Sequence, residues 1–269
     1  MAFCTAAGLV LTASQKTYAQ SQESAEERES GADTITDPQT KITMKTQVET
    51  SPEKTRSKIL YLQADYVFDV HFGWRFGLAA QAPVLSISST DSEAGNPSRR
   101  FGIKNPEVQL VVSKFLDSHW GVGFGIRITP PSSDDTAGAG HWQLKPGAGV
   151  RYSFLPYGLN AYFEPKVRYA LSVGGDSTQR TVNEPQFAPT LNIGLSARWF
   201  VILFPSYDIR LNLGDPISGQ TGRLFLPFDV SVGRTFPEDV SISLELSVPI
   251  VKDYPVYNLK TEFRVAVRF

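Results

Sequence analysis

Taken two residues at a time, the stretch YNLKTEFRVAVRF at positions 257–269 separates into two sets. Tyr257, Leu259, Thr261, Phe263, Val265, Val267 and Phe269 fall on one side, and Asn258, Lys260, Glu262, Arg264, Ala266 and Arg268 on the other. Successive side chains of a strand point to opposite faces, so a period of two predicts a β-strand. The same alternation runs through VSISLELSVPI, where Val240, Ile242, Leu244, Leu246, Val248 and Ile250 oppose Ser241, Ser243, Glu245 and Ser247. It recurs in GRLFLPFDVSV, and in GLNAYFEPKVRYALSV, where Glu164, Lys166 and Arg168 face away from Phe163, Val167 and Tyr169. In WGVGFGIRIT, Gly121, Gly123, Gly125 and Arg127 alternate with Trp120, Val122, Phe124 and Ile126.

Followed along the chain, the pattern predicts about twelve strands, near 40–50, 57–70, 74–88, 102–116, 120–130, 142–154, 158–174, 182–199, 201–213, 222–236, 240–252 and 257–269. Their connections alternate in length. Short ones fall at His71-Phe72-Gly73, Asp117-Ser118-His119, Leu155-Pro156-Tyr157, Phe200 and Pro237-Glu238-Asp239, and longer polar ones at 88–100, 130–141, 174–181 and 214–222. Tight turns on one rim and longer loops on the other describe an up-and-down barrel, and both termini on the turn rim require an even number of strands. Several strands also exceed the usual 5–6 residues and approach the roughly 9–11 that a membrane-spanning strand needs. The fold class expected is therefore all-β: a transmembrane up-and-down antiparallel β-barrel of about 12 strands, with apolar faces toward lipid and charged faces toward a lumen.

Composition agrees without deciding. The 269 residues are 41% hydrophobic and 20% charged with net charge −1, and the mean hydropathy is −0.16. A barrel gives such averages because only half of each strand meets lipid. Near-zero net charge gives no electrostatic case for nucleic acid. Trp74, Trp120 and Trp199 sit beside short turns and Trp142 at a loop end, the places of two aromatic girdles. Pro146, Pro165, Pro189, Pro227 and Pro249 fall inside strands and require bulges or gaps in the ladder, since proline donates no hydrogen bond.

Three segments divide the chain. Residues 1–19 hold an apolar core, AFCTAAGLVLTA, and a small-x-small site at Thr17-Tyr18-Ala19, and read as a signal peptide whose positive n-region is incomplete. Cys4, the one cysteine, lies inside it, and no lipobox precedes it. Residues 20–39, acidic and without periodicity, are expected to be a disordered tail. Residues 40–269 are expected to be the barrel.

The segments FGIKNPEVQLVVSKFL, WGVGFGIRITPP and GAGHWQLKPGAGVRY together resemble the outer-membrane transporter-like β-barrel family associated with meta-pathway phenol degradation. Gly102 and Pro106 match its strand-opening motif, with Lys104 and Asn105 where Gly and Asp are usual. Gly138, Gly140, Trp142, Leu144, Pro146 and Gly147 match its Trp-x-aliphatic-x-Pro-Gly run. The resemblance covers residues 100–155, and its motifs are structural. It implies a barrel firmly and a phenolic substrate hardly at all. Phe269 is similar to the closing aromatic by which such barrels are recognised for assembly.

Twelve strands about 4.8 Å apart, tilted about 40°, leave a lumen about 10 Å wide at most, enough for a small solute. The residues expected to line it are Arg127, Lys145, Arg151, Glu164, Lys166, Arg168 and Arg198 in the first part of the barrel, and Asp208, Arg210, Asp229, Glu245, Lys260, Glu262 and Arg264 in the second. An open pore of this composition would mildly prefer anions, whereas charges that pair across the lumen would seal it. The function read is a passive outer-membrane channel for small solutes, small aromatic or anionic compounds among them. The alternatives are a sealed barrel with a structural or loop-binding role, or an outer-membrane lipid hydrolase. The last lacks a Gly-x-Ser-x-Gly element, and the three histidines, His71, His119 and His141, show no metal spacing. No catalytic residue, metal or cofactor is assigned. Expected partners are outer-membrane lipid and lipopolysaccharide, the barrel-assembly machinery and a small-molecule solute.

Overall fold

The structure, a computed structural model, describes residues 34–51, 55–90, 98–102, 105–131, 141–175 and 180–269. The expected signal peptide and the tail as far as residue 33 lie outside the described residues. Fourteen strands form one antiparallel sheet. They are β1 (Lys41–Thr50), β2 (Thr55–Val70), β3 (Trp74–Thr90), β4 (Ser98–Gly102), β5 (Glu107–Phe115), β6 (Trp120–Thr129), β7 (His141–Ser153), β8 (Ala161–Gly175), β9 (Asn183–Gly194), β10 (Trp199–Leu203), β11 (Ile209–Leu211), β12 (Leu224–Thr235), β13 (Val240–Lys252) and β14 (Leu259–Arg268). Strand β4 pairs only with the far end of β3, and β10 and β11 share one crossing between β9 and β12. Twelve crossings remain. The ring closes where β1 pairs with β14 from Lys41↔Arg268 to Thr50↔Leu259.

The sides of this sheet invert the pattern of a soluble core. Along β13, Ser241, Ser243, Glu245 and Ser247 are buried while Leu244, Leu246, Val248 and Ile250 are exposed, Ile250 at 66%. Along β14, Lys260 and Glu262 are buried and Leu259 and Phe263 exposed. Apolar side chains outside, polar ones inside and closure of the first strand on the last are what hydrocarbon demands of a spanning sheet. The fold is a transmembrane barrel of the outer-membrane type.

The prolines fall at lapses in the ladder. Pairing of β7 with β8 skips Pro146 and the positions opposite Pro165. Pro165 faces Pro189, and Pro227, at a register shift, faces Pro249. Pro189 and Pro227 also flank the break between β10 and β11, where the wall needs no donor from either.

Three local expectations are corrected. The turn expected at Phe200 lies at Ser196–Arg198, because Phe200 is fully buried in β10 against Ile202. The strand expected over 201–213 is broken, with residues 204–208 folded inward. The loop expected at 88–100 carries the end of β3 and the start of β4.

Residues 34–39 do not extend away from the barrel as a tail. They form a strap inside it, with Ile35, Thr36 and Asp37 no more than 5% exposed. Its seat is a patch of three inward glycines, Gly123 and Gly125 on β6 and Gly149 on β7, opposite Gly123. A β-carbon at Gly123 would overlap the Ile35 carbonyl, and one at Gly125 would stand 3.3 Å from both Ile35 Cδ1 and Val111 Cγ2. Glycine is needed here because backbone approaches backbone. The strap is fastened by Glu164, whose Oε1 accepts from Ile35 N and Thr36 N, each at 3.2 Å, and from Thr36 Oγ1 at 2.8 Å. Asp37 is paired with Arg75.

Two outcomes are expected. Glu164→Ala strips a charged acceptor from three buried donors, a loss of roughly 2–5 kcal/mol in strap docking. In residues 20–269, which lack Cys4, an Ile35→Cys reporter should then react with a water-soluble maleimide at least tenfold faster than in the Glu164 parent; equal rates would contradict the docking. On the turn rim, Asp117 Oδ1 accepts from Trp120 N and His119 N, each at 2.7 Å, which holds its carboxyl below the ordinary carboxylate range. A depressed pKa stabilises above the unfolded value and is lost as pH falls through the folded one. Asp117→Ala should therefore lower the unfolding temperature at neutral pH, with the gap closing in acid; a gap constant with pH would contradict the assignment.

Candidate functional site

The register fixes which inward side chains meet. Gln109, Arg127 and Lys145 stand abreast on β5, β6 and β7, with Glu107 one inward position away on β5. Arg127 Nη1 donates to Glu107 Oε2 at 2.9 Å, Lys145 Nζ to Glu107 Oε1 at 2.6 Å, and Arg127 Nε to Gln109 Oε1 at 2.8 Å. One carboxylate thus serves two cations. Across the barrel, Arg264 donates to Glu262 at 2.6 Å along β14, and on the adjoining strands Lys45 Nζ donates to Gln63 Oε1 at 2.7 Å.

A second cluster is assembled by the inward segment 204–208. Phe204 takes positive φ, its N–H donates to Asp229 O at 2.9 Å, and its carbonyl accepts from Thr190 Oγ1 at 2.8 Å. That anchor turns Ser206, Tyr207 and Asp208 into the interior. Ser206 Oγ donates to Glu245 at 2.9 Å, Arg210 to Asp208 at 2.5 Å, and Lys260 bridges Asp208 and, at 2.7 Å, Glu245. Carboxylate oxygens of Asp208, Asp229 and Glu245 converge within 4.8 Å, a donor set suited to a hard cation. The Lys260 ammonium already occupies the place between two of them, and Ser247 Oγ donates to Asp229.

The strap occupies part of the interior among the described residues. The strap borders a cavity of about 60 Å³ reaching Asp37, Gln63 and Gln109. A wider one of about 190 Å³ is lined by Lys45, Tyr61, Arg127, Arg168, Asp208, Arg210, Lys260 and Arg264, among others. Arg127 and Tyr207 line both. Arg168 lies over the Tyr207 ring at 4.4 Å and donates from Nε to Gln186 at 2.6 Å. At the loop rim, Phe225, Tyr254 and Tyr257 pack with Ile217 and Val256, so connections fold over the mouth there.

Of the residues expected to face inward, Arg127, Lys145, Arg168, Asp208, Arg210, Lys260, Glu262 and Arg264 surround these two clusters and the wider cavity. Glu164 and Lys166 lie at the strap, 3.8 Å apart. Asp229 and Glu245 lie beside Lys260. Arg151 is set apart near the turn rim, its guanidinium 3.8 Å over the Tyr162 ring. Arg198 is corrected: it ends the Ser196–Arg198 turn with φ 64° and is exposed, because the chain reverses two residues earlier than the pattern suggests. Trp74, Trp120 and Trp199 open β3, β6 and β10 on the turn rim and Trp142 lies at the other end, with Trp120, Trp142 and Trp199 exposed. Phe269 follows β14 and donates from its N–H to Thr40 O at 3.1 Å.

The strap, Tyr207 and the neutral partners Gln63, Gln109 and Gln186 were outside the expected set. The paired glycines of β6 and β7 were the available signal for the strap, since three inward positions without side chains leave a trough. Nothing in FPSYD marks Tyr207 as inward beyond the proline that interrupts the strand.

No curated protein matches the sequence. Among solved structures, an outer-membrane channel from Pseudomonas putida F1 superposes with a TM-score of 0.69 at 13% identity, covering 89% of this chain and 98% of that one. The β-domain of the Bordetella autotransporter BrkA superposes with a TM-score of 0.50 at 11% identity, covering 87% and 100%. At these identities the likeness is one of fold, an outer-membrane β-barrel. Residues 32–207, well over half of the chain, match the family described as "Putative MetA-pathway of phenol degradation", and the chain belongs to that family.

Proposed function

We propose that this barrel is a passive outer-membrane channel for small polar solutes, with a preference for anions. The observation that carries the reading is the charge of the wider cavity: Lys45, Arg127, Arg168, Arg210, Lys260 and Arg264 line it against Glu49, Asp208 and Glu262. A cation-rich passage with low-dielectric walls concentrates anions. The similar Pseudomonas structure is named as a channel, and the family description names phenol degradation, which favours small aromatic compounds among the solutes. In this reading residues 1–19 direct export, the four tryptophans anchor the barrel at the two lipid interfaces, the loop rim meets lipopolysaccharide, and Phe269 is read by the assembly machinery. His119, stacked on Tyr152 and facing the Ser153 carbonyl at 3.3 Å, is occupied structurally, and no catalysis is assigned.

A second reading has one observation behind it: the strap held by Glu164 fills part of the interior, as a sealed barrel with a loop-binding role would require. Single-channel recording of refolded residues 20–269 separates the two. The channel reading predicts discrete conductance steps; a silent protein with a β-sheet circular-dichroism spectrum would favour the sealed barrel. Deleting Phe269 should reduce the amount of protein reaching the outer membrane severalfold, and an unchanged yield would remove its assembly role.

A further inference from the structure

Each cation around the wider cavity can be followed to what neutralises it. Arg127 has Glu107, Arg210 has Asp208, Lys260 has Asp208 and Glu245, Arg264 has Glu262, and Lys45 donates to Gln63 and acts on Glu262. Arg168 is different. Its strand neighbours across the ladder are Gly147 and Gln186, neither charged. Its Nε is used by Gln186, its flat face by Tyr207, and among the described residues no carboxylate lies within ion-pair distance of it. Glu107 acts on it only through space and is already in contact with Arg127 and Lys145, so this enclosed guanidinium has no carboxylate of its own. The two groups that do touch it fix its plane and leave its terminal nitrogens, the edge that takes a carboxylate bidentately.

Tyr207 is there by construction rather than by strand geometry. The wall is broken for five positions, 204–208, and anchored to β9, β12 and β13 through Phe204, Thr190 and Ser206, and the result is a ring 4.4 Å from the Arg168 guanidinium, with the Lys166 ammonium farther off at 5.4 Å. The space beside it is about 190 Å³, lined also by Tyr61 and Pro205. An apolar cavity of about 150 Å³ accommodates benzene. The site therefore has a cationic fork at one wall, aromatic surface beside it and room for a ring.

We propose that the wider cavity is a binding site for small organic carboxylates up to the size of an aromatic ring, with Arg168 holding the carboxylate and Tyr207 orienting Arg168. The proposal rests on the channel reading for its biological purpose but not for its chemistry. A solute so held sits beside Arg127, which borders both cavities, and can pass from one carboxylate-binding group to the next.

The test is titration calorimetry of detergent-folded residues 20–269 with benzoate, benzyl alcohol and inorganic phosphate, alongside bilayer conductance. Benzoate should bind, benzyl alcohol should bind at least tenfold more weakly, and Arg168→Gln should weaken benzoate at least tenfold. Arg168→Lys, which keeps the charge but not the fork, should fall between. Tyr207→Leu should weaken benzoate severalfold and serves as the probe if Arg168→Gln does not fold. Equal binding of benzoate and benzyl alcohol, or benzoate binding untouched by the folded variants, would overturn the site. Phosphate binding as tightly as benzoate would overturn the assignment to organic carboxylates. Benzoate binding by a protein that never conducts would refute the channel and leave the site standing; conductance without benzoate binding would do the reverse.

Discussion

A strand surrounded by hydrocarbon finds no water for its N–H and C=O groups, so every one of them must be taken by a neighbouring strand. The pairing of β1 with β14 along the length of both strands meets that demand by joining the first strand to the last. Much else in the molecule follows from it. Closure turns one face of every strand inward, and the inward face of a narrow ring must hold whatever the sequence put there. The prolines show how strictly the ladder is kept. Each sits where pairing already lapses, two pairs of them face one another, and Pro189 and Pro227 border the place where the wall opens to send residues 204–208 inside.

The enclosed charges are handled by sharing. Glu107 serves Arg127 and Lys145, and Lys260 serves Asp208 and Glu245. Such pairs offset the desolvation of both partners only when geometry is good and the remaining donors are filled, which is the part Gln109 plays for Arg127, while Gln63 and Gln186 take donors of Lys45 and Arg168. Local pairing along and between neighbouring strands also leaves space in the middle. Charges neutralised at the wall need not reach across, so among the described residues space remains beside the strap and beside Arg168.

The strand pattern was legible because it is dictated by a face-by-face difference in solvent, and alternation survives in the sequence wherever that difference holds. Residues on β13 and β14 could be assigned to faces one by one. Legibility failed where the chain leaves the wall. The turn at Ser196–Arg198 carries no glycine, proline or asparagine, so the alternation runs through Arg198 as if β9 continued. The strap is short and polar, and its neighbours in sequence are acidic; what places it inside is a complement far along the chain, the glycines of β6 and β7 and the carboxylate of Glu164. Tyr207 enters through a kink whose anchors, Thr190, Asp229 and Glu245, come from three other strands. Local periodicity carries no information about such meetings. The family resemblance, resting on residues 100–155, pointed to the barrel for the same reason that periodicity did: its motifs are wall motifs.

The central claim is that the cation-rich interior is a passage for small anions. Its most direct measurement is the zero-current potential of the reconstituted barrel across a tenfold KCl gradient. The account predicts a potential of the sign that anion selectivity gives; a potential of the opposite sign, or none from a folded and inserted protein, would contradict it.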